Sequence, residues 1–202
     1  MSAERNPTRL ILASKSASRR AMLDAAGVNY DAMPADLDER AVEDNLRGAT
    51  PPEIAEALSV AKAAALAVRY PSALVLGSDS LVVVGGRRFD KPVNRDEAAE
   101  HLRFFSGKAL ELHSAAALVR GEGCEWSHAS VARLLVRDLS EDFIAHYLGL
   151  EWPAISHTVG AFRIEGPGVQ LFESIEGDQF TVLGMPLLPL LSALREQGVL
   201  IA

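Results

Sequence analysis

The chain has 202 residues, 49% hydrophobic and 23% charged, which is typical of a globular protein. Its net charge of −7 argues against a duplex nucleic-acid binder, and its 6% aromatic content argues against a module that stacks single-stranded bases. One cysteine, Cys124, excludes an intrachain disulfide, and the sequence has neither an apolar N-terminal segment nor a long apolar stretch, so we expect a cytoplasmic protein without membrane binding.

The first half of the chain alternates strand and helix patterns. "RLILAS" is typical of a strand, and Ser16 or Ser18 is expected to cap a helix that runs to about Gly27. "TPPEIAEALSVAKAAALAVRYP" predicts a long helix with Thr50 as its N-cap. "ALVLGSDSLVVV" then predicts a strand in which Asp79 is the only charged residue.

The second half continues the alternation. Gly85-Gly86 predicts a hairpin turn into "RRFDKP", and Asn94 is expected to cap a helix that ends at Gly107. "ALELHSAAALV" and "SVARLLVRDL" predict two more strands, and Ser140 is expected to cap "EDFIAHYL". A glycine-punctuated region of strand and loop precedes the closing helix "LLPLLSALREQ". The pattern predicts an α/β fold in a single domain over 1–202, and it is compatible with a smaller lobe at about 85–150.

Two arginines lie where the first helix begins, in "LILASKSASRRAML". A helix N-terminus carries partial positive charge and favours acidic residues, so Arg19 and Arg20 are unexpected there. One explanation is that both side chains extend into solvent. The other is that backbone N–H groups, serine hydroxyls and two guanidinium groups form a polyphosphate site at this helix start.

Asp79 interrupts a strongly apolar strand. A carboxylate in such a strand is expensive to bury unless it is paired, hydrogen-bonded or bound to a metal, which makes it a candidate general base or metal ligand. The alternative is a water-exposed aspartate in a bulge at Gly77. With Gly85-Gly86 as a two-residue turn, Val84 pairs with Arg87 and Ser80 with Lys91, which would bring Lys91 beside Asp79 along the ladder. The alternative is that Lys91 is a solvated lysine.

Further charged residues lie on the long helix and before it. Lys62 lies at the edge of the apolar stripe of the long helix, so it is either a snorkelling lysine or a site residue. Asp36, Asp38 and Glu39 in "PADLDER" are either an exposed acidic loop or ligands for a hard cation.

Taken together and in this order, these segments resemble the Maf family of nucleoside triphosphate pyrophosphatases. The matching segments are "LASKSASRR", "DLDE", "LSVAKA", "GSDS", "DKP", "SG" at 106–107, "RIEGPGVQLFESIEGD" and "VLGMPL". The resemblance runs from about Leu10 to about Leu191 and so covers nearly the whole chain. No single segment is specific, but the set is.

The resemblance implies a twisted mixed central sheet flanked by helices, with two lobes and a cleft, as in inosine triphosphatases. It implies hydrolysis of a nucleoside triphosphate between its α- and β-phosphates, a divalent cation (magnesium or manganese) as cofactor, and often a homodimer. By family motif Asp79 is the proton acceptor, Glu39 lies at the metal with Asp79, and basic residues and a serine surround the phosphates: Ser14, Arg19, Arg20, Lys62 and Lys91.

Three positions bear on which base the enzyme would bind. In this chain one residue, Ser18, lies between "SA" and the arginine pair. The family's pyrimidine branch has proline followed directly by the two arginines. The extra residue resembles the 7-methyl-GTP branch, although that branch typically has tryptophan there. Ser80 follows the aspartate, where the pyrimidine branch has threonine and the 7-methyl-GTP branch glutamine. Glu165 in "RIEGPG" matches the 7-methyl-GTP branch. We therefore expect 7-methyl-GTP as substrate, with other modified nucleotides as the rival class.

A second hypothesis is of a different class. The family's association with septum formation makes a nucleotide-binding regulator of cell division, with little turnover, the alternative to an enzyme. The complete set Glu39, Lys62, Asp79 and Lys91 favours the enzyme.

Overall fold

The structure is a computed structural model, and it describes residues 8–201. Within this range strands and helices are interspersed along the chain. The strands are β1 (Leu10–Leu12), β2 (Asp31–Ala32), β3 (Leu74–Val84), β4 (Arg87–Phe89), β5 (Ala109–Arg120), β6 (Gly123–Val136) and β7 (Phe172–Glu176). The helices are α1 (Ala17–Ala25), α2 (Glu39–Asp44), α3 (Pro51–Ala67), α4 (Arg95–Phe105), α5 (Glu141–Glu151), α6 (Gln179–Val182) and α7 (Leu187–Glu196), with short 3-10 turns between α5 and β7.

The strands of the described residues form one mixed sheet in the order β2-β1-β3-β5-β6-β7, and β4 pairs with β3. β1 runs parallel to both β2 and β3, whereas β3 with β4 and β6 with β7 are antiparallel. The predicted α/β class with a mixed sheet and helices is therefore confirmed. No helix in residues 8–201 has the length and apolar character needed to cross a bilayer.

The chain divides into two compact units. The first unit contains residues 8–79, 114–130 and 184–201. In it α3 packs Ala63, Leu66 and Ala67 against buried residues of β1, β3 and β5, among them Ile11 and Val75. This packing fixes α3 on the sheet, because all of these side chains are removed from water.

The second unit contains residues 80–113 and 131–183. Its core combines the apolar faces of α4 and α5 with the strand residues of this unit, and its largest fully buried side chains include Phe105 and Tyr147. The single-domain organisation over 1–202, with a smaller lobe at about 85–150, stays a prediction.

Several local predictions are confirmed by the helix caps and the hairpin. The side chains of Ser16, Asn94 and Ser140 each accept a hydrogen bond from the first turn of α1, α4 and α5. Thr50 forms a capping box with Glu53 at the start of α3, and because of that hydrogen bonding the pKa of Glu53 is lowered.

Two local predictions need correction. The hairpin pairs Val84 with Arg87 as expected, but its ladder ends at Phe89, so the extended pairing of Ser80 with Lys91 does not form. The segment "PADLDER" is not only a loop, because Asp38 caps the short helix α2 by accepting a hydrogen bond from the Ala41 N–H at 3.2 Å. The sequence pattern does not mark this cap, because the helix that follows is only six residues long.

Candidate active site

The turn between β1 and α1 is held by its serines. Ser14 is buried, and its Oγ accepts a hydrogen bond from the Ser16 N–H at 3.1 Å. Ser16 in turn caps α1 by accepting from the Arg19 N–H at 3.4 Å. The hydroxyls of this segment therefore satisfy backbone donors at the helix start, which gives α1 a fixed direction.

Arg19 points from the first turn of α1 towards backbone carbonyl groups. Its Nε donates to the Gly184 carbonyl at 3.0 Å, and its Nη1 donates to the Ser78 carbonyl at 2.7 Å. Burial of the guanidinium lowers the pKa of Arg19, and the nearby carboxylates of Asp79 and Glu39 oppose that shift. Arg19 is thus a fixed cation beside Asp79, and carbonyl acceptors and carboxylates offset the unfavourable helix dipole.

Arg20 lies on another face of α1, because consecutive helix residues are about 100° apart. It is exposed and lines an open hollow with Ala21, Asp24 and Tyr30. The Tyr30 hydroxyl donates to Asp24 Oδ1 at 2.9 Å on this side of the helix. The two arginines therefore have different surroundings, and a phosphate contact by Arg20 stays a prediction.

Lys62 lies between two carboxylates. Its Nζ is 2.5 Å from Asp79 Oδ1 and 3.0 Å from Glu39 Oε1. The Lys62 and Asp79 side chains are only 14% and 11% exposed, so this contact is largely shielded from water, whereas Glu39 is 49% exposed. Lys62 is not a snorkelling surface lysine, and Asp79 is not a solvated bulge residue, since the structure pairs them.

Gly77 explains how the two side chains meet. A Cβ atom at this position would lie 2.0 Å from the Ser59 carbonyl oxygen and 2.8 Å from the Ala63 nitrogen. β3 and α3 thus approach each other more closely than any side chain at position 77 allows. Lys62 lies three residues after Ser59 on α3, and Asp79 lies two residues after Gly77 on β3, so the close approach brings the ammonium to the carboxylate.

The paired carboxylates have the donor chemistry that a divalent cation requires. Glu39 and Asp79 supply hard oxygen ligands, and both already converge on one cation, the Lys62 ammonium. Residues 8–201 contain no group of three or more histidine, cysteine or acidic side chains that could hold a metal without other ligands. Of the two alternatives for Asp36, Asp38 and Glu39, the structure does not form the set of three cation ligands. A cation held by Glu39 and Asp79 would need further ligands, such as phosphate oxygens.

Four further residues were predicted to belong to the site: Ser18, Ser80, Lys91 and Glu165. Ser18 is half-buried in α1, and Ser80 is half-buried in β3. Lys91 is exposed in the segment after β4, and Glu165 is exposed in a turn of the second unit. Their roles stay predictions.

Ser78 is a site component that the sequence did not indicate. It is fully buried, and its Oγ lies 2.7 Å from the Ala115 carbonyl oxygen and 3.3 Å from that of Gly184. The carbonyl groups of Ser78 and Gly184 are also the acceptors for Arg19. The one available signal was the pair of small residues Gly77-Ser78 inside a strand, which is typical of a close backbone approach.

We expect Arg19→Lys to lower the free energy of unfolding by about 2 kcal/mol, because a lysine cannot donate to both carbonyls in the planar geometry of a guanidinium. Arg20→Lys, one residue away and exposed, is the matched control and should change it by less than about 0.5 kcal/mol. Urea unfolding of both variants measures the difference. Equal stability of the two variants would show that the Arg19 hydrogen bonds contribute nothing.

Comparison with known proteins shows which family model and which relatives this chain matches. The family described as Maf-like protein matches residues 9–197. A 7-methyl-GTP pyrophosphatase of Rhizobium etli is 48% identical over 194 residues, which are 95% of this chain and 98% of that protein. A nucleoside triphosphate pyrophosphatase of Rhodopseudomonas palustris strain HaA2 is 45% identical over 194 residues, 96% of each chain.

Among solved structures, a HAM1 protein from Coxiella burnetii aligns with a TM-score of 0.42 at 16% identity. The alignment covers 64% of this chain and 73% of that one. A score of this size does not by itself establish a shared fold.

Proposed function

Because the chain belongs to the Maf-like protein family, we propose that it is a nucleoside triphosphate pyrophosphatase. It would hydrolyse the bond between the α- and β-phosphates, giving a nucleoside monophosphate and pyrophosphate. The observation that carries this proposal is the shielded contact of Lys62 with Asp79, with Glu39 on the same ammonium and Arg19 close by. The relatives named above support the same activity.

The proposed roles follow from charge and position. Asp79 accepts a proton from the attacking water, whose oxygen bonds to phosphorus as the bond to the departing pyrophosphate breaks. Lys62 holds the Asp79 carboxylate through Oδ1 and so limits its rotation. The fixed positive charge of Arg19 stabilises the negative charge that builds on the phosphates. Ser14, Arg20 and Lys91 are proposed as further phosphate contacts.

Glu39 and Asp79 are the residues that would hold a magnesium or manganese ion. Such a cation, when bound, neutralises phosphate charge and polarises the phosphoryl group. Lys62 would then remain beside the two carboxylates as a second positive charge for the triphosphate.

We propose 7-methyl-GTP as the preferred substrate. The Glu165 carboxylate can accept hydrogen bonds from the N1–H and the exocyclic amine of guanine, and its charge favours the cationic methylated ring. Ser18 and Ser80 are the other proposed specificity positions. The Rhizobium etli relative carries the same substrate in its name. We also propose that the protein acts as a homodimer and, because Cys124 is a free, exposed thiol, that it works in the reducing cytoplasm.

The test is pyrophosphate release from a panel of nucleotides with magnesium or manganese. The panel contains 7-methyl-GTP, GTP, dTTP, UTP and CTP. We expect the highest kcat/KM for 7-methyl-GTP and no release without a divalent cation. Faster turnover of another base would contradict the substrate but keep the reaction. Nucleotide binding without any release would contradict the enzyme and favour the regulator.

A further inference from the structure

Glu151 is a buried carboxylate that the proposed reaction does not use. Its side chain is 2% exposed, and it forms two hydrogen bonds with one guanidinium. Arg163 Nε donates to Oε2 at 2.8 Å, and Nη2 donates to Oε1 at 2.9 Å. The Arg163 side chain is 38% exposed, so the pair joins a buried carboxylate to a partly exposed guanidinium. A paired arrangement of this kind fixes the orientation of an arginine and neutralises its charge.

The arginine of this pair begins the turn that carries Glu165. The Gly166 N–H donates to the Arg163 carbonyl at 3.2 Å, so Ile164 and Glu165 are the two central residues of a four-residue turn. Gly168 packs on the start of the turn, since a Cβ there would lie 2.5 Å from the Arg163 carbonyl oxygen. The position of Arg163 therefore affects where Glu165 lies, and the charge of Arg163 affects the electrostatic potential at the Glu165 carboxylate.

α5 anchors this region at a second point. Tyr147 lies four residues before Glu151, on the same face of α5, and its hydroxyl donates to the Ala161 carbonyl at 3.1 Å. The backbone before Glu165 is thus fixed at residues 161 and 163 by two side chains of one helix.

Charge decides what Glu165 can bind. Arg163 and Glu151 together carry no net charge, so the exposed carboxylate of Glu165 remains a net negative charge at the turn. Arg163 and Glu165 are the first and third residues of one turn. The hydrogen bonding with Glu151 raises the pKa of Arg163 against the opposing effect of desolvation, and the negative charge of Glu165 raises it further. Without Glu151, the guanidinium would pair with the carboxylate two residues away and cancel its charge.

Resting on the proposed function, we propose that Glu151 is a positioning residue for substrate choice: it holds and neutralises Arg163, so that Glu165 stays available for a cationic purine base. 7-Methylguanine carries a positive charge that guanine lacks. Its recognition is therefore more sensitive than that of guanine to the charge of Glu165.

Two single variants separate this role from simple support of the fold. Glu151→Gln and Arg163→Gln both disrupt the paired arrangement, since an amide can replace at most one of its two hydrogen bonds. The first variant leaves a cation without its carboxylate, and the second leaves a buried carboxylate without its cation. The readout is the ratio of kcat/KM for 7-methyl-GTP to that for GTP, since the two substrates share the triphosphate and the ribose. Thermal unfolding of each variant reports its folding.

We expect Glu151→Gln to lower this ratio about tenfold, and Arg163→Gln to leave it within about twofold of the wild type. Equal ratios in the two variants would overturn the proposal, because loss of support alone affects both in the same way. If Glu151→Gln does not fold, Arg163→Gln still decides: a retained ratio supports the proposal and a lost ratio overturns it.

The wild type in the same assay separates this inference from the proposed function. Release from neither nucleotide overturns the proposed function and the inference with it. Release without a preference for 7-methyl-GTP overturns only the inference, as does a preference that Glu151→Gln preserves.

Discussion

Asp79→Asn is expected to lower kcat for pyrophosphate release by about 10³-fold, because an amide cannot accept the proton of the attacking water. Asparagine has the same shape and can still accept a hydrogen bond from Lys62, so the contact between α3 and β3 is retained. The measurement is steady-state release of pyrophosphate at saturating nucleotide, with and without a divalent cation. Binding of the nucleotide should change much less than kcat.

The matched control is Asp142→Asn, an exposed aspartate in the first turn of α5. This variant loses the same charge and should keep its kcat within about twofold of the wild type. Thermal unfolding of both variants shows whether either has lost its fold. A kcat of Asp79→Asn within tenfold of the wild type would remove Asp79 as the proton acceptor.

Local signals in the sequence predicted most of the fold. Capping by Ser16, Asn94 and Ser140 depends on a side chain and the backbone three residues later, so neighbouring residues specify it. The pairing of Val84 with Arg87 depends only on a two-residue glycine turn. Such features need no knowledge of the tertiary structure.

The site could be predicted only in part, because its contacts join residues far apart in the chain. The Lys62–Asp79 contact spans 17 residues, and the Arg19 hydrogen bond to the Gly184 carbonyl spans 165. A backbone carbonyl has no sequence signature, so the hydrogen-bond acceptors of Arg19 could not be predicted from the sequence. The extended ladder to Lys91 was wrong because pairing stops where Phe89 ends β4, and no turn rule fixes the length of a ladder.

Gly77→Ala is expected to lower the free energy of unfolding by about 3 kcal/mol or more. The added Cβ would lie 2.0 Å from the Ser59 carbonyl oxygen, and that neighbour is helix backbone that cannot rotate away. α3 and β3 must therefore separate. Urea unfolding measures the loss, and pyrophosphate release by the folded fraction should fall as well, because the separation carries Lys62 away from Asp79.

The control for this variant is Gly149→Ala, a substitution of the same kind at an exposed position of α5. A Cβ there meets nothing within 4 Å, so alanine should raise the free energy of unfolding by up to about 1 kcal/mol through its higher helix propensity. The two glycine-to-alanine substitutions should then change the free energy of unfolding in opposite directions. If Gly77→Ala kept the stability of the wild type, the close approach of α3 to β3 could not be what brings the lysine to the carboxylate.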